Sequence, residues 1–449
     1  MPKPTLYYDV TQLVHWDGRL TGIPRVMHEQ AIRFRSERPE TVFVSWVKEL
    51  QEFVELDLDR TLGELGHGIH YLRVGQEHPG PKVVQEVEAT ASDFKQDQQI
   101  IKKQGNIRLA KAILRRAARI APGLSGRVER KLKLARMAEY KVAKYTKGDQ
   151  VFIPWGEWWD DNFIERLKHW NREAGLQIIQ IIHDMGPIMI PQFTGAGGAG
   201  GSTETFPKYC REILPISELV LCVSKNTKAE ATQWLKDQKL KVPRMEVFRL
   251  GDDFQVAKAV EPDSDAFRDA KLKGNPYLLT VCTIEARKNH ALLYYVYKLA
   301  LSRGIDLPKI AIVGRRGWGT DDIYTIMSND PAVKDKLVFL HGMSDEELSW
   351  LYNHCQFTVF PSFYEGWGIP IAESVARGVP CLCSNTTSMV EIAEGFVDHF
   401  SPASPDECLA AIQQLLIPKN LEAARKRVKG YRQYSWDDSF KQVIKYLED

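Results

Sequence analysis

One stretch of the second half of the chain, residues 357–384, constrains the fold more than any other. An apolar run at 357–360 predicts a buried strand. Two glycines, Gly366 and Gly368, then permit a tight backbone path, and Pro370 suits the first turn of a helix. A second short apolar run follows the helix and predicts the next strand. Strand, glycine-rich loop, helix and strand in this order are typical of a doubly wound α/β sheet.

Two carboxylates flank the glycines of this stretch. Glu365 falls in the loop, and Glu373 is expected in the first helical turn, where a negative charge complements the helix dipole. The dipole alone could explain Glu373, but it does not explain Glu365. Free N–H groups at the helix start, Gly368 and Ile369, would also bind an anion. The pattern favours a ligand that carries both phosphate and hydroxyl groups, such as a nucleotide-sugar.

The spacing of Glu365 and Glu373, with Gly-x-Gly-Ile-Pro between them, resembles the E-x7-E signature of retaining GT-B glycosyltransferases of family 4. The resemblance implies an α/β protein with two Rossmann-like doubly wound domains that face each other across a cleft. In that family the first glutamate contacts the donor sugar and the second contacts the ribose. It also implies a nucleotide-sugar donor and a saccharide acceptor.

Two adjacent cations, Arg287 and Lys288, follow another predicted strand, where they would neutralise a diphosphate. They resemble the family's Arg-Lys-Asn segment, which clamps the leaving nucleoside diphosphate. An apolar run that ends at His183 resembles the histidine of the family's N-terminal domain, which lies close to the transferred sugar. His183, Glu365, Arg287 and Lys288 are therefore the predicted catalytic residues.

Further residues are predicted to bind the donor through resemblance alone. Gly22 belongs to a segment that resembles the family's first glycine loop, which faces the donor phosphates. Gly342 and Met343 follow a predicted strand after which, in the family, the backbone contacts the nucleobase. Glu373, Gly368 and Ile369 complete the donor-binding set. No metal ion is expected, because the two formal D-x-D matches, Asp57-Leu-Asp59 and Asp263-Ser-Asp265, do not follow convincing strands. No cofactor is expected either, since the donor, GDP-mannose or a UDP-sugar, is a substrate.

The length of 449 residues suggests two or more domains. The predicted order is an acceptor-binding domain, a polar hinge, a nucleotide-sugar-binding domain, and a last helix that crosses back to the first domain. The predicted ranges are 1–250 (with a basic helical insertion at 75–148), 251–274, 275–434 and 435–449.

The segment 101–148 carries fifteen Lys or Arg residues against two Glu, although the whole chain has a net charge of only +2. Its apolar positions recur at roughly helical spacing. Basic amphipathic helices suit an anionic membrane surface or an anionic acceptor. A solvated helical insertion is the alternative interpretation. RNA is disfavoured because aromatic residues are not interleaved, so no nucleic-acid partner is expected.

A glycine-rich segment, 195–201, formally matches the dinucleotide-binding pattern. That pattern requires a strand just before it and a helix just after it, and the prolines that precede this segment argue against the strand. We interpret 195–201 as a loop beside the cleft. No apolar run is long enough to span a membrane, no signal peptide is recognised, and the seven cysteines are expected to be reduced.

These observations predict a metal-independent hexosyltransferase that transfers mannose to a lipid-linked or oligosaccharide acceptor in bacterial surface polysaccharide synthesis, either O-antigen or capsule. It would be cytoplasmic and peripheral on the inner face of the cell membrane. Two alternatives stay open at this point. A GT-B nucleotide-sugar epimerase would use the same cleft without an acceptor, and a binding or scaffold protein would keep the fold with an inactive cleft.

The basic segment gives a first prediction. The protein should bind liposomes that contain anionic lipid, and added salt should weaken this binding. Neutralising Arg115, Arg116, Arg130 and Lys131 together should abolish it in a sedimentation assay. Binding that persists in this variant, or that does not respond to salt, would contradict a membrane role for the segment.

Overall fold

The computed structural model describes most of the chain outside the basic segment; the described residues are 4–16, 20, 22–48, 50–58, 141–194, 202–253 and 257–449. Outside them lie most of the insertion, the glycine-rich loop and residues 70–74, which the sequence predicts as a strand. The chain divides into two compact units. The larger consists of Met1–Leu13, Arg19–Val42 and Tyr145–Asp449, and the smaller consists of Val14–Gly18 and Phe43–Lys144.

The elements are numbered along the described chain. The strands are β1 (Leu6–Asp9), β2 (Val42–Val47), β3 (Glu52–Leu56), β4 (Gln150–Ile153), β5 (Gln177–Ile182), β6 (Leu219–Cys222), β7 (Arg244–Val247), β8 (Tyr277–Val281), β9 (Lys309–Val313), β10 (Leu337–Leu340), β11 (Thr358–Phe360), β12 (Cys381–Ser384) and β13 (Asp398–Phe400). The helices are α1 (Thr11–His15), α2 (Ile23–Glu37), α3 (Asp161–Ala174), α4 (Gly186–Met189), α5 (Pro191–Thr194), α6 (Ser202–Ile213), α7 (Lys225–Asp237), α8 (Asp265–Ala270), α9 (His290–Ser302), α10 (Asp321–Asn329), α11 (Asp345–His354), α12 (Ile369–Ala376), α13 (Pro405–Leu416), α14 (Pro418–Val428) and α15 (Trp436–Glu448). Short 3-10 turns are formed by Leu214–Ile216, Ala286–Lys288 and Thr387–Val390.

The first parallel sheet of the larger unit has the strand order β1-β4-β5-β6-β7. Its central strands are continuous apolar runs because helices cover both faces of such a sheet. In β5, for example, every residue after Gln177 is buried. His183 directly follows β5 and so lies at the carboxyl ends of the parallel strands, where open α/β sheets bind their ligands.

The second parallel sheet has the order β10-β9-β8-β11-β12-β13. The strand order reverses between β8 and β11, so the loops after these two central strands lie side by side. Arg287 follows β8 and Glu365 follows β11. The predicted architecture of two Rossmann-like doubly wound sheets is confirmed, and β12 has the bounds that its apolar run indicated.

The smaller unit contains an antiparallel pair of strands, β2 and β3, in which Phe43 lies opposite Leu56. An isolated antiparallel β-bridge also joins Val54 of β3 to Val142. The sequence predicted β2 but missed β3, because Glu52 and Glu55 interrupt its apolar pattern.

The segment predicted as a hinge, 251–274, is not entirely a linker. Residues from Asp265 onward form α8, and Phe267 and Leu272 are buried in the core beneath the second sheet. At the other end of the chain, α15 packs against α2 of the first sheet. The rings of Phe34 and Phe440 meet edge to face with centroids 4.9 Å apart.

No helix in the described part of the chain is long and apolar enough to cross a bilayer. All seven cysteines are free, and six of them are buried.

Gly314 provides a test of the second sheet. A Cβ atom on Gly314 would lie 1.9 Å from the carbonyl oxygen of Cys282, so the backbones after β9 and β8 approach each other too closely for any side chain. Gly314→Ala should therefore lower the free energy of unfolding by about 1–3 kcal/mol, the usual cost of overpacking. Urea denaturation measures this change. The matched control is Gly430→Ala, where the nearest atom is 3.3 Å away; equal effects of the two variants would contradict the account.

Candidate active site

The carboxylate of Glu365 is shared between the two predicted cations. Its Oε2 accepts a hydrogen bond from Nη1 of Arg287 at 2.7 Å, and its Oε1 accepts one from Nζ of Lys288 at 2.6 Å. Ser362 Oγ donates to the same Oε1 at 2.7 Å. Glu365 is only 7% exposed, so these contacts form in a largely dehydrated environment. The structure thus brings together three of the four predicted catalytic residues.

Asn289 explains why the two cations reach this carboxylate. It adopts a left-handed conformation, with φ of 57°, that asparagine tolerates better than most residues. Its side-chain amide donates to the carbonyl oxygens of Pro361 and Pro402 at 3.1 and 2.9 Å. Phe363 N–H also donates to the carbonyl oxygen of Arg287 at 2.9 Å. These bonds fasten the loop after β8 to the loops after β11 and β13.

The loop of Glu365 is held from its other side by the 3-10 turn after β12. Glu365 N–H donates to Thr387 Oγ1 at 3.1 Å. Ser388 Oγ lies within hydrogen-bond distance of the carbonyl oxygens of Glu365 and Trp367, at 2.8 and 2.9 Å. The carboxylate therefore projects from a backbone fixed at several points, which is the preorganisation that a binding group requires.

Burial and the two cations have opposite effects on Glu365. Burial raises the pKa of its carboxyl, but the charges of Arg287 and Lys288 outweigh burial and lower this pKa from 4.5 to about 2. Burial likewise opposes the charge of Arg287, and Glu365 and Glu285 reverse that effect, so the pKa of Arg287 is raised. Glu365 and Arg287 are therefore both charged at neutral pH.

Glu285 is a second carboxylate partner of Arg287 that the sequence did not single out. Its Oε1 lies 2.7 Å from Arg287 Nε, an ion pair that lacks the alignment of a hydrogen bond. Burial raises the pKa of Glu285. In the described residues the positive charges of Arg287 and Lys288 are thus balanced by Glu365 and Glu285.

The loop that carries Glu365 contacts the loop after β5 of the first sheet at Gly366. A Cβ atom there would lie 2.0 Å from the carbonyl oxygen of His183, so only glycine permits the approach. Tyr364, from the same loop, accepts the N–H of Met185 at 3.1 Å and donates its hydroxyl to Glu230. His183 and Glu365 consequently lie on two loops that are in direct contact.

The protonation of His183 follows from its surroundings. Burial lowers the pKa of the imidazole to about 4, so the ring is neutral at physiological pH. Its Nε2 lies 2.7 Å from the carbonyl oxygen of Pro154, which can only accept a hydrogen bond. Nε2 therefore carries the proton and Nδ1 keeps a lone pair, which makes His183 a hydrogen-bond acceptor for a hydroxyl group.

The expected position of Glu373 in the first helical turn is wrong. The helix begins at Ile369 because Gly368, with φ of 107°, interrupts the backbone before it, and Glu373 is the fifth helical residue. The helix dipole acts on the first turn, so it does not account for Glu373. Its carboxylate Oε1 is instead paired with Arg25 Nη1 of α2 at 3.0 Å. The sequence missed Arg25 because nothing marks it as the partner of a residue 348 positions away.

The remaining predicted residues lie at the starts of helices or just after a strand. Gly22 precedes α2 with φ of 59°, and Gly368 and Ile369 form the start of α12. Gly342 and Met343 follow β10, which β9 and β8 separate from β11. No group of three or more His, Cys, Asp or Glu side chains is placed to hold a metal ion in the part of the chain that the structure describes.

Two doubly wound parallel sheets whose strand-end loops meet are the architecture of the GT-B fold. The whole chain superposes on solved structures of this size. It matches Anabaena Alr3699/HepE in complex with UDP with a TM-score of 0.58 and 13% identity, over 99% of this chain and 100% of that one. It matches a glycosyltransferase from Rickettsia africae with a TM-score of 0.53 and 14% identity, over 100% and 98%.

A family model matches the part of the chain that contains the second sheet. Residues 263–432 match the model of glycosyl transferases group 1. The family resemblance carried by Glu365 and Glu373 is thereby confirmed. The matched range begins near α8, within the segment predicted as a hinge.

Curated relatives cover part of the chain. The serotype-specific mannosyltransferase WbdA of Escherichia coli is 26% identical over 283 residues, which are 62% of this chain and 34% of WbdA. The O-antigen chain mannosyltransferase B of Escherichia coli is 31% identical over 170 residues, 37% of this chain and 44% of the relative. The chain thus spans about a third of the length of WbdA.

The shifted pKa of Glu365 predicts a pH-dependent contribution to stability. Because its folded pKa is below the unfolded value, Glu365 stabilises the fold above about pH 4.5, and this contribution disappears as the pH falls towards 2. It amounts to roughly 3 kcal/mol. Glu365→Gln should be less stable than the unmodified protein at pH 7, and the gap should narrow in acid.

Urea denaturation between pH 7 and pH 3 measures this gap. Glu394→Gln, which alters an exposed carboxylate, is the control and should give no gap at any pH. A gap for Glu365→Gln that is independent of pH would show that the carboxylate is not held ionised by Arg287 and Lys288.

Proposed function

We propose that this protein is a retaining, metal-independent glycosyltransferase that transfers a sugar from a nucleotide-sugar to a saccharide acceptor. The observation that carries the proposal is the carboxylate of Glu365, shared between Arg287 and Lys288 beside the start of α12. The family match over residues 263–432 supports the assignment to this class.

The ion pairs define the ligand that suits the site. A diphosphate would compete with Glu365 and Glu285 for Arg287 and Lys288. Once it is released by the cations, the carboxylate of Glu365 would accept hydrogen bonds from sugar hydroxyls, each worth about 1.5–3 kcal/mol when the acceptor is charged. A nucleotide-sugar carries a diphosphate next to sugar hydroxyls. One ligand would therefore supply new partners both for the two cations and for the carboxylate of Glu365.

The same groups would act on the leaving diphosphate. Breaking the bond between the sugar and the phosphate places negative charge on the phosphate oxygen. Arg287, Lys288 and the free N–H groups at Gly368 and Ile369 would stabilise that charge in a site poor in water. The neutral His183 would accept a hydrogen bond from the sugar near its reacting carbon. In the family that this chain resembles, the acceptor hydroxyl attacks on the face that the leaving phosphate occupies. As the new bond to the sugar forms and the bond to the phosphate breaks, the hydroxyl proton would pass to the leaving phosphate, so the configuration would be retained and no enzyme nucleophile would be needed.

The remaining donor-binding residues take their proposed roles from the family resemblance. Glu373 would bind the ribose hydroxyls, Gly22 would face the donor phosphates, and the backbone of Gly342 and Met343 would contact the nucleobase. No further cofactor takes part in this scheme.

The names of the relatives support a more specific substrate. Three of them are called mannosyltransferases of the O-antigen chain or of a serotype. We therefore favour GDP-mannose as the donor and a lipid-linked or oligosaccharide acceptor of bacterial O-antigen or capsule synthesis, at the cytoplasmic face of the membrane. A UDP-sugar is the alternative donor, since the structural neighbour Anabaena Alr3699/HepE was solved in complex with UDP.

A panel of radiolabelled nucleotide-sugars and saccharide acceptors tests the activity. The expected result is transfer of mannose from GDP-mannose without added metal, with an α-linked product by anomeric NMR. Free epimerised sugar from donor alone would favour the epimerase alternative. No turnover of any nucleotide-sugar, together with an intact biological output of Glu365→Ala, would favour a binding or scaffold role.

Substitution of Arg287 tests its proposed role in stabilising the charge on the leaving diphosphate. Arg287→Gln should lower kcat on the order of 100-fold, the usual loss when a group that stabilises developing charge is removed. The control is Arg316→Gln, since Arg316 also follows a central strand but is half exposed and pairs with Asp321. Equal losses for the two variants would contradict the role of Arg287.

A further inference from the structure

Glu373 offers one carboxylate oxygen to a ligand and keeps the other for the protein. Its Oε1 is paired with Arg25, whereas its Oε2 has neither a hydrogen bond nor an ion pair to any described residue. The side chain is 18% exposed, so it is partly accessible to solvent. The pairing therefore fixes the plane of the carboxylate without blocking it.

Arg25 is itself held in place. Gly22 and Pro24 set the start of α2, so Arg25 projects from the first turn of that helix. Its guanidinium lies 5.9 Å from the centroid of the Trp436 ring of α15. An arginine that is anchored at its base and lies beside an aromatic ring loses little freedom when it binds a carboxylate.

A second arginine near Glu373 has a different role from Arg25. Arg377 directly follows the last residue of α12, and its backbone N–H donates to the carbonyl oxygen of Glu373 at 3.1 Å. Its Nη1 donates to Ser349 Oγ at 3.0 Å, and its guanidinium lies 4.8 Å from the centroid of the Tyr352 ring. The positive charge of Arg377 acts on the Glu373 carboxylate, whereas Arg25 pairs with that carboxylate.

We infer that Arg25 is a positioning residue, supplied by the first sheet, that orients Glu373 for the ribose hydroxyls of the nucleotide-sugar. This inference rests on the proposed function, in which Glu373 binds the ribose. It goes further because it assigns donor recognition partly to the domain predicted to bind the acceptor. Loss of Arg25 should affect ribose recognition rather than the diphosphate or the sugar.

The charges around Glu373 give the inference a dependence on pH. Burial raises the pKa of Glu373, the charges of Arg25 and Arg377 oppose this rise, and Asp345 of α11 adds to it. Tyr352, also on α11, is a further titratable group that interacts electrostatically with this carboxylate. Without Arg25 the carboxyl takes up a proton at higher pH, and a protonated carboxyl accepts fewer hydrogen bonds from ribose.

The test compares the binding of GDP with that of 2′,3′-dideoxy-GDP by calorimetry, with the uridine pair run alongside. Arg25→Gln should weaken GDP roughly ten-fold, a typical coupling for residues in contact, and should leave the dideoxy nucleotide unchanged. The loss should grow as the pH falls from 8 to 6, and KM for the donor should rise while kcat changes little. The double variant Arg25→Gln, Glu373→Gln should bind GDP no more weakly than Glu373→Gln alone.

Two further variants keep the result decisive. Arg25→Lys keeps the charge and should recover part of the affinity, which guards against a failure of Arg25→Gln to fold. Arg35→Gln alters an exposed arginine of the same helix and should have no effect. Equal weakening of GDP and dideoxy-GDP, or no weakening at all, would overturn the inference. If the unmodified protein binds neither the guanosine nor the uridine nucleotides, the proposed function itself fails.

Discussion

A single buried carboxylate connects the parts of this site. Glu365 accepts hydrogen bonds from Arg287 and Lys288 on the neighbouring strand loop and from Ser362 on its own loop. Buried ion pairs contribute little to net stability, because desolvation of the charges offsets their attraction. In the proposed function these ion pairs exchange partners when the donor binds. Arg287 and Lys288 would then bind the diphosphate, and the carboxylate of Glu365 would accept hydrogen bonds from sugar hydroxyls.

The arrangement depends on backbones that approach without side chains. At Gly366 the loop of the second sheet touches the carbonyl group of His183 from the first sheet, and at Gly314 two loops of the second sheet touch each other. In both places an added Cβ atom would meet a backbone atom, which cannot move aside. Substitutions at these glycines therefore bear on the geometry of the whole site, even though neither glycine contributes a side chain.

The sequence predicted those elements of the structure that a local pattern of residues determines. The strand β12, the helix after the two glycines and the Arg-Lys-Asn turn follow from apolar runs, proline and glycine positions, and a recognisable motif. Three short strands were missed, and one of them, β3, carries charged residues that interrupt its apolar pattern. The partners of Glu373 and Arg287 could not be predicted either. Arg25 pairs with a residue 348 positions away, and the ion pair of Glu285 depends on how one loop folds back on itself.

A crystal structure with GDP-mannose, or with the donor that proves active, would show whether the donor exchanges the ion pairs of Glu365. We expect phosphate oxygens within hydrogen-bond distance of Arg287 and Lys288. The carboxylate of Glu365, which lies 2.7 Å from Arg287 Nη1 and 2.6 Å from Lys288 Nζ, should move away from both cations and accept hydrogen bonds from the sugar. A bound donor that leaves both of these ion pairs intact, with its diphosphate elsewhere, would contradict this exchange.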